Sequence, residues 1–326
     1  MEQQIEQLFK WLDDTTNIIV EEEDVPYLEA LIAASELLFY RDLPDDLAND
    51  YEANLKKKLN EAHYKDYEVE VRRKALQLTI LKGMKGVTQQ HHHITPDTVG
   101  MFMGYLVQRF MGDTKHYTMF DPACGTANLL LAVLNQQNES SIKAYGSEVD
   151  ATLIRLAYSN TNLQEREIEY FHQDSLKPIL LDPVDVIVSD LPVGYYPDDD
   201  IAYGYDLKLE EGHSYAHHLF IEQSLKYTKE GGYLFFVIPS FLFESEQKDQ
   251  LQNFLKEHAH IVGLLQLPNT MFKNEKMQKS IFVLQKKGPE TKDPNKVLLA
   301  DLPSFKDVNA MESVLSQMND WFKNDR

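Results

Sequence analysis

The segment MFDPACGTANLLLAVL, residues 119–134, holds the first residues whose types and spacing can do chemistry. An apolar strand ends at Phe120 and Asp121 follows. Ala123, Cys124, Gly125, Thr126 and Ala127 are all small, so a ligand can approach the backbone closely. The helix start behind them offers unpaired N–H groups and a positive dipole end. An acid beside bare N–H groups suits a zwitterion such as an amino acid moiety. No Gly-Lys-Ser/Thr follows, so this is not a nucleotide P-loop, and one glycine makes a poor dinucleotide fingerprint. Glu148 ends a second strand 27 positions after Asp121. At that spacing in a βαβ unit a carboxylate can accept hydrogen bonds from ribose hydroxyls. SDLPVGYYP, residues 189–197, follows the apolar run VDVIV. A polar, proline-bearing turn at a strand end is where open α/β sheets place their active sites.

Short apolar runs alternate with helical patterns from about residue 94, and these must position the candidate residues. The expected strands are 117–120, 144–148, 168–172, 184–188, 233–238, 261–267 and 280–285, with helices at about 127–137, 151–164 and 214–229. Such alternation predicts an α/β fold: a seven-stranded, doubly wound, mostly parallel sheet with helices on both faces. LPNTMFKNEKMQK separates the last two strands without a helical pattern, which predicts an antiparallel finish. Residues 1–86 read as a helical N-terminal domain. Ile5, Leu8, Phe9 and Leu12 mark the first helix face. Pro26 starts a second helix, Pro44 with Asp45 and Asp46 a third, and a fourth runs from about Asp66 to Leu81. The expected division is 1–86, 87–287 and a tail, 288–326, with a helix near 308–322.

The bulk numbers bound the class. The chain has 326 residues and is 43% hydrophobic, a soluble globular composition. No apolar run is long enough to span a bilayer, and MEQQIEQLFKWLDD is not a signal peptide. One cysteine, Cys124, fits a reducing, cytoplasmic setting. The net charge of −20 argues against unaided binding to DNA or an anionic membrane. Lys56–Lys58, Arg72–Lys74 and the lysines at 273, 276 and 279 are candidates for a local basic surface but read as solvated helix faces. His91-His92-His93 cannot all face one ion, so no metal is expected. His217 and His218 are expected to pack within their helix.

DPACGT closely resembles the DPACGTG signature of the adenine-N6 DNA methyltransferases, with Ala127 in place of the last glycine. The span 94–287 resembles the catalytic domain of type I restriction modification subunits. That resemblance implies a class I methyltransferase (Rossmann-like) fold and S-adenosylmethionine (SAM) as methyl donor, with no metal. ITPDTVGMFMGYL, residues 94–106, resembles the family's Thr-Pro segment, which implies that Thr95 helps hold the methionine carboxylate of SAM. Pro96 at a first helical position with Thr95 before it is also an ordinary helix start. By the resemblance, Asp121, Pro122, Ala123, Cys124, Gly125, Thr126 and Asn128 form the SAM turn. Glu148 takes the ribose with Val149 beside it, and Asp174 bonds the adenine amino group with Ser175 as its neighbour. A cysteine at a helix start can be a nucleophile, but the resemblance makes Cys124 a packing residue.

In the resembled family the fourth strand ends in Asn/Asp-Pro-Pro-Tyr/Phe. The acid or amide and a proline carbonyl accept the two N–H bonds of an exocyclic amine, which aims its lone pair at the SAM methyl. The aromatic ring stacks on a flipped base. Here the four positions are Asp190-Leu191-Pro192-Val193. Asp190 and Pro192 keep their parts, Leu191 keeps a backbone carbonyl, and Val193 lacks the ring. Tyr195 or Tyr196 can supply one. The expected acceptor group is Asp190, Leu191, Pro192 and Tyr195, with Asp190 also bordering the cofactor. Asp198–Asp200 and Glu210-Glu211 oppose a phosphate backbone. The 39 residues after 287 are too few for a separate target-recognition domain. The expected function is methyl transfer to an exocyclic amine, by family implication adenine in nucleic acid. The alternatives are a protein or small-molecule amine, or a non-catalytic SAM-binding scaffold that meets a protein partner through its helical domain.

Overall fold

The structure is a computed structural model, and it describes residues 1–45, 47–85, 94–137, 140–274 and 277–325. Asp46, Gly86, the histidines at 91–93 and Lys276 lie outside the described residues. The chain forms two compact units.

The helical unit contains Met1–Ile94, Gly125–Asn128 and Asp150–Ile168. Its first four helices are α1 (Glu2–Glu23), α2 (Tyr27–Tyr40), α3 (Asn49–Glu61) and α4 (Val69–Met84). The third begins at Asn49 rather than at Pro44, since residues 41–44 have no regular structure and Asp45 is a turn. Leu8 and Leu12 of the anticipated stripe are fully buried, with Leu31, Ile32, Leu76 and Ile80. Leu156 and Leu163, in the segment 150–168, complete this core. The basic runs of this unit are structural. Lys58 pairs with Asp14 and Glu61, Arg73 with Glu70, and the buried Arg72 with Glu165 while lying over the Tyr64 ring.

The sheet unit opens with α5 (Asp97–Met111), whose cap position is Pro96. Then follow β1 (His116–Asp121), α6 (Asn128–Leu134), β2 (Ser141–Glu148), α7 (Ala151–Leu163, which groups with the helical unit), β3 (Ile168–His172) and β4 (Val184–Asp190). The remainder is α8 (Asp199–Ala202), α9 (Ala216–Lys226), β5 (Thr228–Pro239), α10 (Lys248–His258), β6 (Ala259–Gln266), β7 (Lys279–Lys286), β8 (Leu298–Asp301) and α11 (Val308–Asn324). All seven expected strands are present. An eighth, β8, was not anticipated, because LLAD is short and half exposed. Nor was α10, whose sequence KDQLQNFLKEH buries only Leu251 and Leu255.

The strand order is β3-β2-β1-β4-β5-β7-β6-β8. β1 pairs parallel with β2 and β4, and β4 pairs parallel with β5. β7 runs antiparallel between β5 and β6. The continuous apolar run of β5 follows from burial on both faces. Alternate residues Leu234, Phe236 and Ile238 join a core with Leu219, Ile221 and Leu225 of α9 and Leu251 and Leu255 of α10. Phe235, on the opposite face, meets Phe110 of α5, which also packs against Trp321 and Phe322 of α11.

This topology fixes where chemistry can occur. The parallel strands end along one edge, and the reversed β7 begins there. Asp190, at the end of β4, is in register with Val237 of β5, and Pro239 is in register with Lys279.

Candidate functional site

Asp121 ends β1 and is 1% exposed. Its Oδ1 accepts hydrogen bonds from the Ala123 amide (3.0 Å) and the Ser189 hydroxyl (2.8 Å). Burial pushes its carboxyl up to about 7. Those two hydrogen bonds oppose the rise, while the charges of Glu148 and Asp190 add to it. An ammonium brought to Asp121 would restore the charged form, which is the chemistry the sequence suggested.

The turn after Asp121 is held from two sides. The Ser175 hydroxyl donates to the Pro122 carbonyl at 2.6 Å, and the Cys124 amide donates to the Ser147 carbonyl at 2.9 Å. Cys124 is buried, and burial first, then Asp121 and Glu148, pushes its thiol well above the usual range. That makes it a packing group rather than a nucleophile. Its sulfur closes against β2, since a Cβ on Gly146 would lie 3.0 Å from Cys124 Sγ and 2.8 Å from the Tyr170 ring. Gly125, Thr126 and Asn128 belong to the helical unit. Gly125 and Ala127 adopt positive φ, the Thr126 carbonyl accepts from Asn160, and Asn128 Oδ1 accepts from Gln77.

Glu148 ends β2, and its Oε1 accepts from the Val149 amide at 2.9 Å. Val149 itself is 65% exposed, an apolar side chain in the open beside an acid. Asp174 follows β3. Its Oδ1 accepts from the Leu176 amide at 2.9 Å and its Oδ2 from the Tyr196 hydroxyl at 2.5 Å. A carboxylate oxygen has more than one lone pair, so the Asp174 oxygens can each accept a further donor.

Tyr196 brings the 189–197 turn into the same group. Burial, followed by its bond to Asp174, pushes the Tyr196 hydroxyl far above its ordinary range, so it remains a donor. The turn is pinned along its length. The Leu191 amide donates to Val237, the Ala216 amide to the Gly194 carbonyl, and the Tyr196 amide to Ser214. Leu191 is buried, so it serves as the turn's anchor and only its backbone can face a ligand. Pro192 is half-buried and Val193 is exposed. Tyr195 is 60% exposed, and its ring stacks on Tyr215 with centroids 4.9 Å apart. A ring is therefore available at this turn two residues after Val193.

Asp190 is engaged through both of its carboxylate oxygens. Its Oδ2 accepts from the Thr95 hydroxyl at 3.0 Å, and its Oδ1 accepts from Lys279 Nζ at 2.6 Å. Thr95, expected on the cofactor, thus bonds Asp190, expected on the acceptor side. Ser189, Tyr196 as the partner of Asp174, and Lys279 were missed by sequence reasoning. Lys279, read from the sequence as part of a solvated face, is instead part-buried and paired with Asp190, a contact that depends on β7 being reversed. His217 and His218 pack inside α9 as expected. Among the described residues no cluster of three or more His, Cys, Asp and Glu is arranged for a metal.

Residues 85–324 match the N-6 DNA Methylase family, and residues 6–84 match the YtxK N-terminal helical domain. The chain belongs to the N-6 DNA methylase family. Its methyltransferase class and class I fold therefore stand as expected, with eight strands in place of seven. The uncharacterized protein YtxK of Bacillus subtilis is 47% identical over 322 residues, 98% of each chain. A solved Listeria monocytogenes protein described as a class I SAM-dependent methyltransferase is 40% identical, with a TM-score of 0.92 over 99% of this chain and 100% of that one. The methyltransferase subunit of a Streptococcus thermophilus type I restriction-modification system shares the fold, at 16% identity and a TM-score of 0.64. It is matched over 96% of this chain and 74% of its own. Among the described residues no helix is long and apolar enough to cross a membrane.

Proposed function

We propose that this protein is an N-methyltransferase that binds SAM along the carboxyl edge of its sheet and transfers the methyl group to an amine held by the 190–192 turn. The observation that carries the reading is the placement of four carboxylates, Asp121, Glu148, Asp174 and Asp190, at or just beyond the ends of β1, β2, β3 and β4. The donor carries an ammonium group, a ribose diol and an adenine amino group, and the residues fit them. Asp121 suits the ammonium, Glu148 the hydroxyls and Asp174 the amino group. The exposed Val149 suits a purine face, and the small residues Pro122, Ala123 and Cys124 let the donor lie close to the backbone. Ser175 supports this floor through Pro122. SAM supplies an electrophilic methyl.

On the acceptor side, Asp190 and the backbone carbonyl of Leu191, stiffened by Pro192, accept N–H bonds and orient the nitrogen lone pair. Thr95 fixes the Asp190 carboxylate. The family points to adenine as the first acceptor to test, and the exposed Tyr195 ring offers a stacking face. The test is labelled SAM with DNA, RNA and a cell extract, for the native protein and Asp190→Ala. Label on nucleic acid that disappears in Asp190→Ala supports adenine transfer. Label confined to proteins or small molecules moves the acceptor elsewhere. SAM binding without any transfer supports the scaffold reading, which the occupied carboxylate of Asp190 favours over an open adenine site.

A further inference from the structure

The inference concerns the acceptor class, and it rests on the SAM-dependent transfer proposed above. Asp190 already holds an amine. Lys279 Nζ is 2.6 Å from Oδ1, and the side chains of Asp190 and Lys279 are only 16% and 26% exposed. The contact is built into the sheet. Lys279 is the first residue of β7, in register with Pro239, and its carbonyl accepts from the Leu267 amide at 3.1 Å. An amine that uses Asp190 must therefore replace or share with an ammonium group that the fold itself delivers.

Neutral and cationic amines differ in what that exchange requires. A neutral exocyclic amine offers the carboxylate an uncharged N–H in place of an ion pair that carries charge on both partners. It also leaves Lys279 without its counter-charge. An aliphatic ammonium exchanges like for like. The added positive charge suits the acidic segment that follows the 190–197 turn, which has the opposite sign. Segment 198–213 carries six carboxylates and one lysine, and Asp200, Glu210 and Glu211 are exposed. A phosphate backbone would meet the same acids with the wrong sign.

We propose that Lys279 selects the acceptor: it closes Asp190 to neutral ring amines such as adenine N6, and it yields to an aliphatic ammonium from a lysine side chain or a polyamine. The step balances without a further reactant. The ammonium releases one proton to solvent, and its nitrogen forms the N–CH3 bond as the S–CH3 bond of SAM breaks. The bonding pair stays on sulfur, leaving a neutral thioether. The methylated amine leaves as a cation, because it takes up the positive charge of the sulfonium together with the methyl group.

The experiment compares native protein, Lys279→Met and Lys279→Arg with labelled SAM. Three acceptors are used: spermidine, a lysine-rich peptide and an adenine-containing oligonucleotide. The native protein should label spermidine or the peptide in preference to the oligonucleotide, and the two cationic arms identify the source. Lys279→Met should shift the ratio of oligonucleotide to amine labelling upward by at least about tenfold, and Lys279→Arg, which keeps the charge, should retain the native ratio. A native preference for the oligonucleotide, or a ratio unmoved in Lys279→Met, overturns the inference. So does SAM binding with no label on any acceptor in any variant. Calorimetry on the same samples separates the two levels: absent SAM binding overturns the underlying reading, whereas intact binding with the wrong acceptor pattern overturns only the role of Lys279.

Discussion

Lys279 Nζ and Asp190 Oδ1 lie 2.6 Å apart across 89 residues of sequence. The pairing follows from strand direction. β4 ends with Asp190 at the carboxyl edge, and β7, inserted in reverse between β5 and β6, begins there with Lys279. A β7 parallel to its neighbours could not have done this, because it would have delivered the end of the strand to that edge.

The pair makes a stability prediction of its own. Asp190→Ala leaves Lys279 partly buried without its counter-charge. The expected loss is about 1–2 kcal/mol, less than for a fully buried pair because both groups keep some exposure. Asp190→Ala with Lys279→Met should recover part of that loss, since the orphaned charge is gone. Urea unfolding of the four proteins measures it. Additive single losses in the double variant would mean that the two residues do not couple.

The Asp121 carboxyl should give the protein an unusual acid-side profile. Its folded value of about 7 stands above the ordinary 3.8, chiefly through burial. The folded state therefore keeps a proton that the unfolded chain has released. Stability from this residue is complete below about pH 4 and is lost as the pH climbs to about 7, by up to roughly 4 kcal/mol. Asp121→Asn should remove that slope. Denaturation midpoints at several pH values between 4 and 8 decide it, and parallel curves for the two proteins would contradict the assignment. Affinity for SAM should rise across the upper part of the same window, as its ammonium pairs with the ionised acid.

His217 and His218 should act with the opposite sign. Burial holds their rings at about 3 and about 4, below the ordinary 6.5, with His218 also lowering His217. None of their four ring nitrogens has a hydrogen-bond partner among the described residues. The unfolded chain takes up protons first, so the stability that depends on neutral rings is complete above about pH 6.5 and drains as the pH falls. His218→Leu should make the acid-side loss shallower in a pH series of thermal melts. A steeper loss would show that the ring is not the group responsible.

Much of the fold, and the placement of Asp121, Glu148, Asp174 and Asp190 at or near strand ends, was legible in the sequence. The strands were readable because runs such as VDVIV and YLFFVI are buried on both faces. Asp121 and Glu148 were readable because small residues and spacing act along one strand–turn–helix unit. What escaped was non-local. Ser189 touches Asp121, Tyr196 touches Asp174 and Lys279 touches Asp190, and each contact depends on strand order and register. Amphipathic α10 and half-exposed β8 bury too few residues to stand out from loop sequence.

The central claim is that the carboxyl edge of this sheet is a SAM site. Titration calorimetry of the native protein with SAM tests it most directly, with Glu148→Ala as the companion. The account predicts one SAM bound per chain, and an affinity weakened by at least about tenfold when Glu148 loses its carboxylate, the scale expected for hydrogen bonds to a charged group. No detectable binding by the native protein, or equal binding by Glu148→Ala, would contradict it.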